Sequence, residues 1–230
     1  MSQHRRQAKR FAPLDTSKGN EAGAPPLKGI VFDVDGTLCK PQNYMFSQMR
    51  AALSIPKSTD ILDYIHSLPE PAQSQAQTAI RAIERAAMIE QEPQPGLDAL
   101  MEYLEMRKIR MGLCTRNFDG PVMHLLQKFL PGKTFSPIVT RDFRPPKPDP
   151  AGILHIAKAW ELDNGGEGLI MVGDSIDDMT AGHKAGAATI LLANESNQDL
   201  KGHEHTGNWI ERLDDLIELL EVGFEERPSE

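Results

Sequence analysis

The sequence predicts a doubly wound α/β fold, with helices on both faces of a parallel sheet and a small helical insertion after the first strand. Three observations carry that reading. Short apolar runs alternate with helix-periodic stretches along most of the chain. The runs are continuous rather than alternating in polarity, as strands buried on both faces require. One interval, residues 40–94, breaks the alternation with helical periodicity alone.

The strand-like runs are "GIVFDVD" (29–35), "IRMGLCT" (109–115), "FSPIVT" (135–140), "GLIMVGD" (168–174) and "ATILLA" (188–193). Between them, "PGLDALMEYLEMRK" (95–108), "PVMHLLQKFL" (121–130), "DPAGILHIAKAW" (149–160) and "DDMTAGHKAG" (177–186) read as helices. Several open on Pro or Asp, which favour a helix start. "NWIERLDDLIELL" (208–220) reads as a final helix with Trp209, Leu213, Leu216, Ile217 and Leu220 on one apolar face.

Within 40–94, "YMFSQMRAAL" and "TDILDYIHSL" suggest two short helices, and Ala76, Ala79, Ile80, Ile83 and Ala87 recur at helical spacing in a longer third. Residues 1–26 read as a disordered basic tail, rich in Gly, Pro and small polar residues, with order beginning near Leu27. The expected organisation is a core of 27–39 and 95–222, the 40–94 insertion, and a short tail at 223–230.

Composition narrows the function. With 40% hydrophobic and 25% charged residues, the chain is ordinary for a globular protein. Its net charge of −8, with no basic stripe beyond the first ten residues, argues against nucleic acid as a partner. An anionic substrate would need cations built into the site. No apolar run approaches the about 18 residues of a membrane span. Cys39 and Cys114 make no disulfide scaffold and read as reduced, buried thiols of a cytoplasmic protein. Arg5, Arg6, Lys9 and Arg10 precede any acid, which keeps a mitochondrial presequence as the alternative.

In open parallel sheets, ligands bind beyond the carboxyl ends of the strands. The first run ends on Asp33, with Asp35 just beyond, and the second ends on Thr115. The third leads to Lys147, and the fourth ends on Asp174, followed by Asp177 and Asp178. Clustered carboxylates repel one another unless a hard cation joins them, and oxygen ligands with open water positions suit Mg2+. A phosphoryl group can then be held by metal, lysine and hydroxyl, attacked by one carboxylate, and its leaving oxygen protonated by another.

In motif order, "DVDGTL", a Thr-terminated strand, "KPDP" and "GDSIDD" resemble the haloacid-dehalogenase-like hydrolase superfamily. The chain is similar in particular to phosphoglycolate-phosphatase-like members with a helical cap after the first motif, over about residues 27–221. The resemblance implies a Rossmann-like core, Mg2+ as cofactor, and hydrolysis of a small phosphorylated metabolite through an aspartyl-phosphate. By position it implies that Asp33 is nucleophile and metal ligand, and Asp35 the acid/base, with its backbone carbonyl on the metal. It implies that Thr115 binds phosphate, that Lys147 orients and neutralises, and that Asp174 and Asp178 are the acidic metal residues. Asp178 is then commonly outer to Asp174, and Asp177 is second choice to Asp178.

Other readings stay open. A phosphosugar mutase shares the same aspartates. A catalytically idle member of the fold, serving as a binding or regulatory module, is a third reading, against which the retention of every acid, the threonine and the lysine counts. Arg116, beside Thr115, is a candidate substrate contact, and Arg141 and Arg144 either add positive potential or form loop salt bridges. His183 reads as a surface or packing residue, and the histidines of "HEH" at 203–205, which could bind a metal, read as merely exposed in a polar loop. Tyr44, Met45, Arg50, Arg81 and Arg85 are candidates for substrate selection within the insertion. The sequence selects neither monomer nor homodimer.

Overall fold

A computed structural model describes residues 10–20, 23–42 and 44–226. The chain divides into two compact units, Met1–Cys39 with Pro93–Glu230, and Lys40–Glu92. It begins with β1 (Gly29–Phe32) and then runs through α1 (Tyr44–Leu53), α2 (Ile61–Ser67) and α3 (Ala72–Glu90), which make up the second unit. The first unit resumes with α4 (Leu97–Met106), β2 (Met111–Cys114), α5 (Asp119–Phe129), β3 (Ile138–Val139) and α6 (Ala151–Ala159). It ends with β4 (Leu169–Gly173), α7 (Ile176–Ala185), β5 (Ala188–Leu192), β6 (Asn208–Ile210) and α8 (Asp215–Val222).

The six strands are parallel, in the order β3-β2-β1-β4-β5-β6. The walk across the sheet reverses between β1 and β4, and a doubly wound sheet opens its ligand crevice at such a switch. Phe32 pairs with Val172 across the two strands. One residue further, the Asp33 N–H donates to the Val172 carbonyl at 2.9 Å, which fixes Asp33 at the sheet edge.

Alternate residues of β1 feed two cores. Ile30 and Phe32 join Leu100, Leu104, Leu125 and Leu216 from α4, α5 and α8. Val31 joins Ile153, Ile156 and Ala181 from α6 and α7 on the opposite face. Every residue of β1 is therefore buried, which is why the run shows no polar alternation. Each such side chain contributes about 1.5–3 kcal/mol relative to exposure. The second unit has its own core of Met49, Ile61, Ile65, Ala76 and Ile80. Its ends meet, the Lys40 N–H donating to the Glu92 carbonyl at 2.9 Å.

Three expectations are corrected. The final helix does not begin at 208. Asn208–Ile210 is an edge strand, with Trp209 opposite Leu191 of β5, and α8 starts only at Asp215. Asp215 Oδ2 accepts the N–H groups of Glu211 and Arg212, closing a turn that separates strand from helix. Trp209 is half-buried beneath the Lys201 ammonium, 3.8 Å from the ring centroid. The run "FSPIVT" contributes only Ile138 and Val139, an edge strand next to a proline that cannot donate to a ladder.

The third correction concerns both ends of the chain. Phe11 is 1% exposed and Phe224 is fully buried, their ring centroids 6.1 Å apart. The Phe224 carbonyl accepts the Arg10 N–H at 2.7 Å, and the Leu220 carbonyl accepts the Leu14 N–H at 2.9 Å. Phe11 and Phe224, with Leu14 packed on the same core, thus anchor a segment that composition alone presents as a tail. Of the four basic residues behind the presequence reading, Arg5, Arg6 and Lys9 lie outside the described residues, while Arg10 pairs with Glu226 at 2.7 Å. Among the described residues, no helix is long and apolar enough to cross a membrane.

Candidate active site

Asp33 leaves β1, Asp174 leaves β4, and Asp178 sits in the first turn of α7. Carboxylate oxygens of the three lie within 4.8 Å of one another. Lys147, from the loop after β3, is 5% exposed. Its Nζ donates to Asp33 Oδ1 at 2.8 Å and also to Asp178 Oδ1.

Two glycines permit this convergence. Gly36 has φ +81°, and a Cβ there would lie 2.1 Å from Asp174 Oδ2, so only glycine lets the turn pass the carboxylate. A Cβ on Gly173 would lie 2.3 Å from the Asp178 Cβ. Ser175 caps α7 in a reciprocal box: its N–H and Oγ donate to Asp178 Oδ2 at 3.0 and 2.6 Å. Both Asp178 oxygens are thereby engaged, one by Ser175 and the other by Lys147. Asp33 Oδ2 and the Asp174 carboxylate accept no hydrogen bond from other described residues.

Electrostatics follow from this crowding. Burial pushes Asp33 up to about 6, with Lys147 opposing and the Asp178 and Asp35 charges adding. Burial, reinforced by Asp33 and Asp178, pushes Asp174 up to about 8. Burial alone would lower Lys147, but Asp178 and Asp33 outweigh it and hold the ammonium charged above its ordinary range. One cation faces three carboxylates, and the donor set is oxygen only. That deficit of positive charge fits a hard divalent ion held by Asp33 and Asp174.

The other predicted residues fall around this centre. The Asp35 carboxylate is not part of the converging group. Its side chain reaches solvent, and its Oδ2 accepts from Asn117 Nδ2 at 2.8 Å. Nearby protein raises its pKa by desolvation, with Asn117 and Lys147 opposing. Thr115, at the end of β2, accepts the Asn117 N–H on Oγ1 at 3.1 Å, which leaves its hydroxyl hydrogen free to donate. Arg116 forms an ion pair with Asp177, so that acid has a partner outside the carboxylate group. Arg141 stacks over the Phe118 ring at 4.8 Å, and Arg144 is exposed.

Burial raises the Cys39 and Cys114 thiols to about 12 and about 11, which makes both inert. The "HEH" loop is packed rather than merely exposed: His205 Nδ1 is 3.0 Å from Thr180 Oγ1, and its ring stacks on His183 at 4.5 Å. In the second unit, the Tyr44 hydroxyl donates to Glu90 Oε2 at 3.0 Å and Met45 packs on that unit's core. Arg50 Nη1 donates to the Phe46 carbonyl at 3.4 Å, while Arg81 and Arg85 are exposed.

Three residues escaped the sequence reading. Ser175 was findable, since S-x-x-D before an apolar helix is a capping signature. Asn117 holds Asp35, and its position two residues beyond a strand-ending threonine is a weak signal. Asn197 is 6% exposed and donates to the Asp174 and Leu192 carbonyls at 2.7 and 3.1 Å, clamping the ends of β4 and β5. Its setting in a polar loop carries no sequence signal.

An α/β fold thus gathers clustered carboxylates and a buried lysine at one edge of its parallel sheet. A family profile described as haloacid dehalogenase-like hydrolase matches residues 30–192, and the chain belongs to that family. It is 43% identical over 205 residues to an uncharacterized hydrolase of Saccharomyces cerevisiae, covering 86% of this chain and 93% of the yeast protein. A phosphoglycolate phosphatase of Psychrobacter arcticus is 29% identical over 138 residues, 59% of this chain and 57% of the bacterial one. Among solved structures, CbbY from Rhodobacter sphaeroides in complex with xylulose-1,5-bisphosphate has a TM-score of 0.65 at 19% identity. That match covers 83% of this chain and 96% of CbbY. The chain is thus a haloacid-dehalogenase-like hydrolase whose relatives include phosphoglycolate phosphatases.

Proposed function

We propose that the chain is a Mg2+-dependent phosphomonoester hydrolase that acts on a small phosphorylated metabolite through an aspartyl-phosphate on Asp33. The observation that carries this reading is the buried Lys147 ammonium on Asp33, beside a carboxylate group one charge cannot neutralise. Bound by Asp33, Asp174 and the Asp35 backbone carbonyl, with Asp178 behind, Mg2+ would offset that charge and polarise a phosphoryl oxygen.

The residues then divide the work. Lys147 keeps Asp33 ionised and aimed, and the Thr115 hydroxyl donates to a phosphoryl oxygen. Asp33 Oδ2 attacks phosphorus as the ester P–O bond breaks, and Asp35 gives its proton to the leaving oxygen. In the second half, Asp35 takes a proton from water, the water oxygen attacks phosphorus, and the P–O bond to Asp33 breaks. Inorganic phosphate leaves and both carboxyl groups return to their starting states. Arg116, held by Asp177, is the further substrate contact. We assign substrate selection to the helical segment 40–94 as a cap, with Tyr44, Arg50, Arg81 and Arg85 as its polar candidates. Two free, buried cysteines support a reducing, cytoplasmic setting.

The test is phosphate release from p-nitrophenyl phosphate and a panel of phosphorylated sugars, glycolate, glycerol and nucleotides, with and without Mg2+. Wild type is expected to show metal-dependent turnover, and Asp33→Asn to lose about 10³-fold or more of it. No metal-dependent turnover above that variant on any member of the panel refutes the reading.

A further inference from the structure

We propose that Asn117 is the positioning residue for Asp35, holding its carboxyl so that Oδ1 is the oxygen presented to the leaving group. The inference rests on the phosphomonoesterase reading above and concerns how its acid is aimed.

Asn117 is itself held at three points. Its backbone N–H donates to Thr115 Oγ1 at 3.1 Å. Its backbone carbonyl accepts the Arg141 N–H at 2.9 Å. Its side-chain Oδ1 accepts the Phe118 N–H at 2.7 Å. The last bond decides the orientation of the amide. A backbone N–H can only donate and a carboxylate can only accept, so Oδ1 must face Phe118 and Nδ2 must face Asp35. A flipped amide would oppose donor to donor at one end and acceptor to acceptor at the other. The resulting Nδ2 to Asp35 Oδ2 distance is 2.8 Å.

The consequence for Asp35 is geometric. Its side chain is exposed and is not one of the three converging carboxylates, and an exposed aspartate samples several rotamers unless tethered. Oδ2 can accept this bond in either charge state, as the carbonyl oxygen when the proton sits on Oδ1 and more strongly when the carboxyl is ionised. With Oδ2 taken by Asn117, Oδ1 is left to meet the leaving oxygen. The same residue holds Thr115 Oγ1 through its backbone, so the phosphate-binding hydroxyl and the acid are set by one rigid link. Asn117 acts through Asp35 and is a positioning residue, not a catalytic one.

The test compares phenyl phosphate with p-nitrophenyl phosphate, two esters of like shape whose leaving groups differ in their need for a proton. Wild type, Asn117→Ala, Asn117→Asp, Asp35→Asn and the Asn117→Ala/Asp35→Asn double variant are assayed in Mg2+. Asn117→Ala is expected to lower kcat on phenyl phosphate about 10- to 100-fold, and far less on p-nitrophenyl phosphate. KM should stay within about twofold on both. In the Asp35→Asn background the same substitution should lose nothing further. Asn117→Asp keeps an acceptor for the Phe118 N–H while removing the donor, so it preserves the loop and should give the same split. Equal losses on the two esters in Asn117→Asp, or an Asn117→Ala loss that persists beside Asp35→Asn, overturn the proposal. The underlying hydrolase reading fails separately, through a wild type without Mg2+-dependent turnover, and the acid role of Asp35 fails through an Asp35→Asn variant that shows no leaving-group split.

Discussion

Lys147 Nζ lies 2.8 Å from Asp33 Oδ1, and the two side chains are only 3% and 11% exposed. The proposed nucleophile therefore carries a counter-ion inside the protein, where solvent screens little of their attraction. Because that ammonium is shared with Asp178, which is anchored in turn by Ser175, the position of Asp33 is tied to the start of α7.

Removing the ammonium should injure stability as well as activity. Lys147→Met leaves Asp33 and Asp178 buried without their partner, and breaking a buried pair costs about 3–5 kcal/mol. The loss should be largest at neutral pH without Mg2+. It should shrink at pH 5, where Asp33, raised to about 6, takes up a proton. Urea unfolding at the two pH values reads both effects. An unchanged midpoint at neutral pH would show that the buried ion pair has no stabilising part.

Proton and metal should compete for Asp174. Its carboxyl is raised from the ordinary 3.8 to about 8, so the folded chain binds this proton more tightly than the unfolded one. The resulting stabilisation is complete below about pH 4 and is lost as pH rises through about 8. In EDTA, the melting temperature of wild type should therefore fall between pH 5 and pH 8 more steeply than that of Asp174→Asn. The upward shift produced by Mg2+ should be larger at pH 8, because fewer protons contest the site. Parallel pH slopes in the two proteins would mean that Asp174 does not carry the raised proton affinity.

The sequence was informative where burial left one solution. β1 and β4 are buried on both faces, so an acid at the end of either run could only mark emergence at the sheet edge, and Asp33 and Asp174 were placed by that logic. Trp209 was misassigned because its spacing to Leu213, Leu216 and Leu220 mimics a helical face across a turn that depends on a single side chain, Asp215. Phe11 was overlooked because one aromatic in a polar segment has no periodicity. The hydrogen-bond partners Asn117 and Asn197 were hidden for another reason. An asparagine in a loop reads as surface until the fold shows which carboxylate or carbonyl it faces.

The anchoring of the N-terminal segment leads to a test of stability. Phe11 is 1% exposed against a fully buried Phe224, at a centroid distance of 6.1 Å, and backbone bonds from Arg10 and Leu14 to Phe224 and Leu220 fix the segment on either side. Deleting a buried phenylalanine side chain costs about 3–5 kcal/mol, through lost burial and the cavity left behind. Phe11→Ala should lower the unfolding free energy by about that amount. The Phe11→Ala/Phe224→Ala pair should lose less than the sum of the single losses, with a coupling of about 0.5–1.5 kcal/mol for an aromatic contact. A solvated tail gives a different result: substitution at a surface site stays within about 0.5 kcal/mol. Chemical unfolding of the three variants separates the two cases, and a Phe11→Ala midpoint equal to wild type would return residues 10–20 to the tail that composition alone suggests.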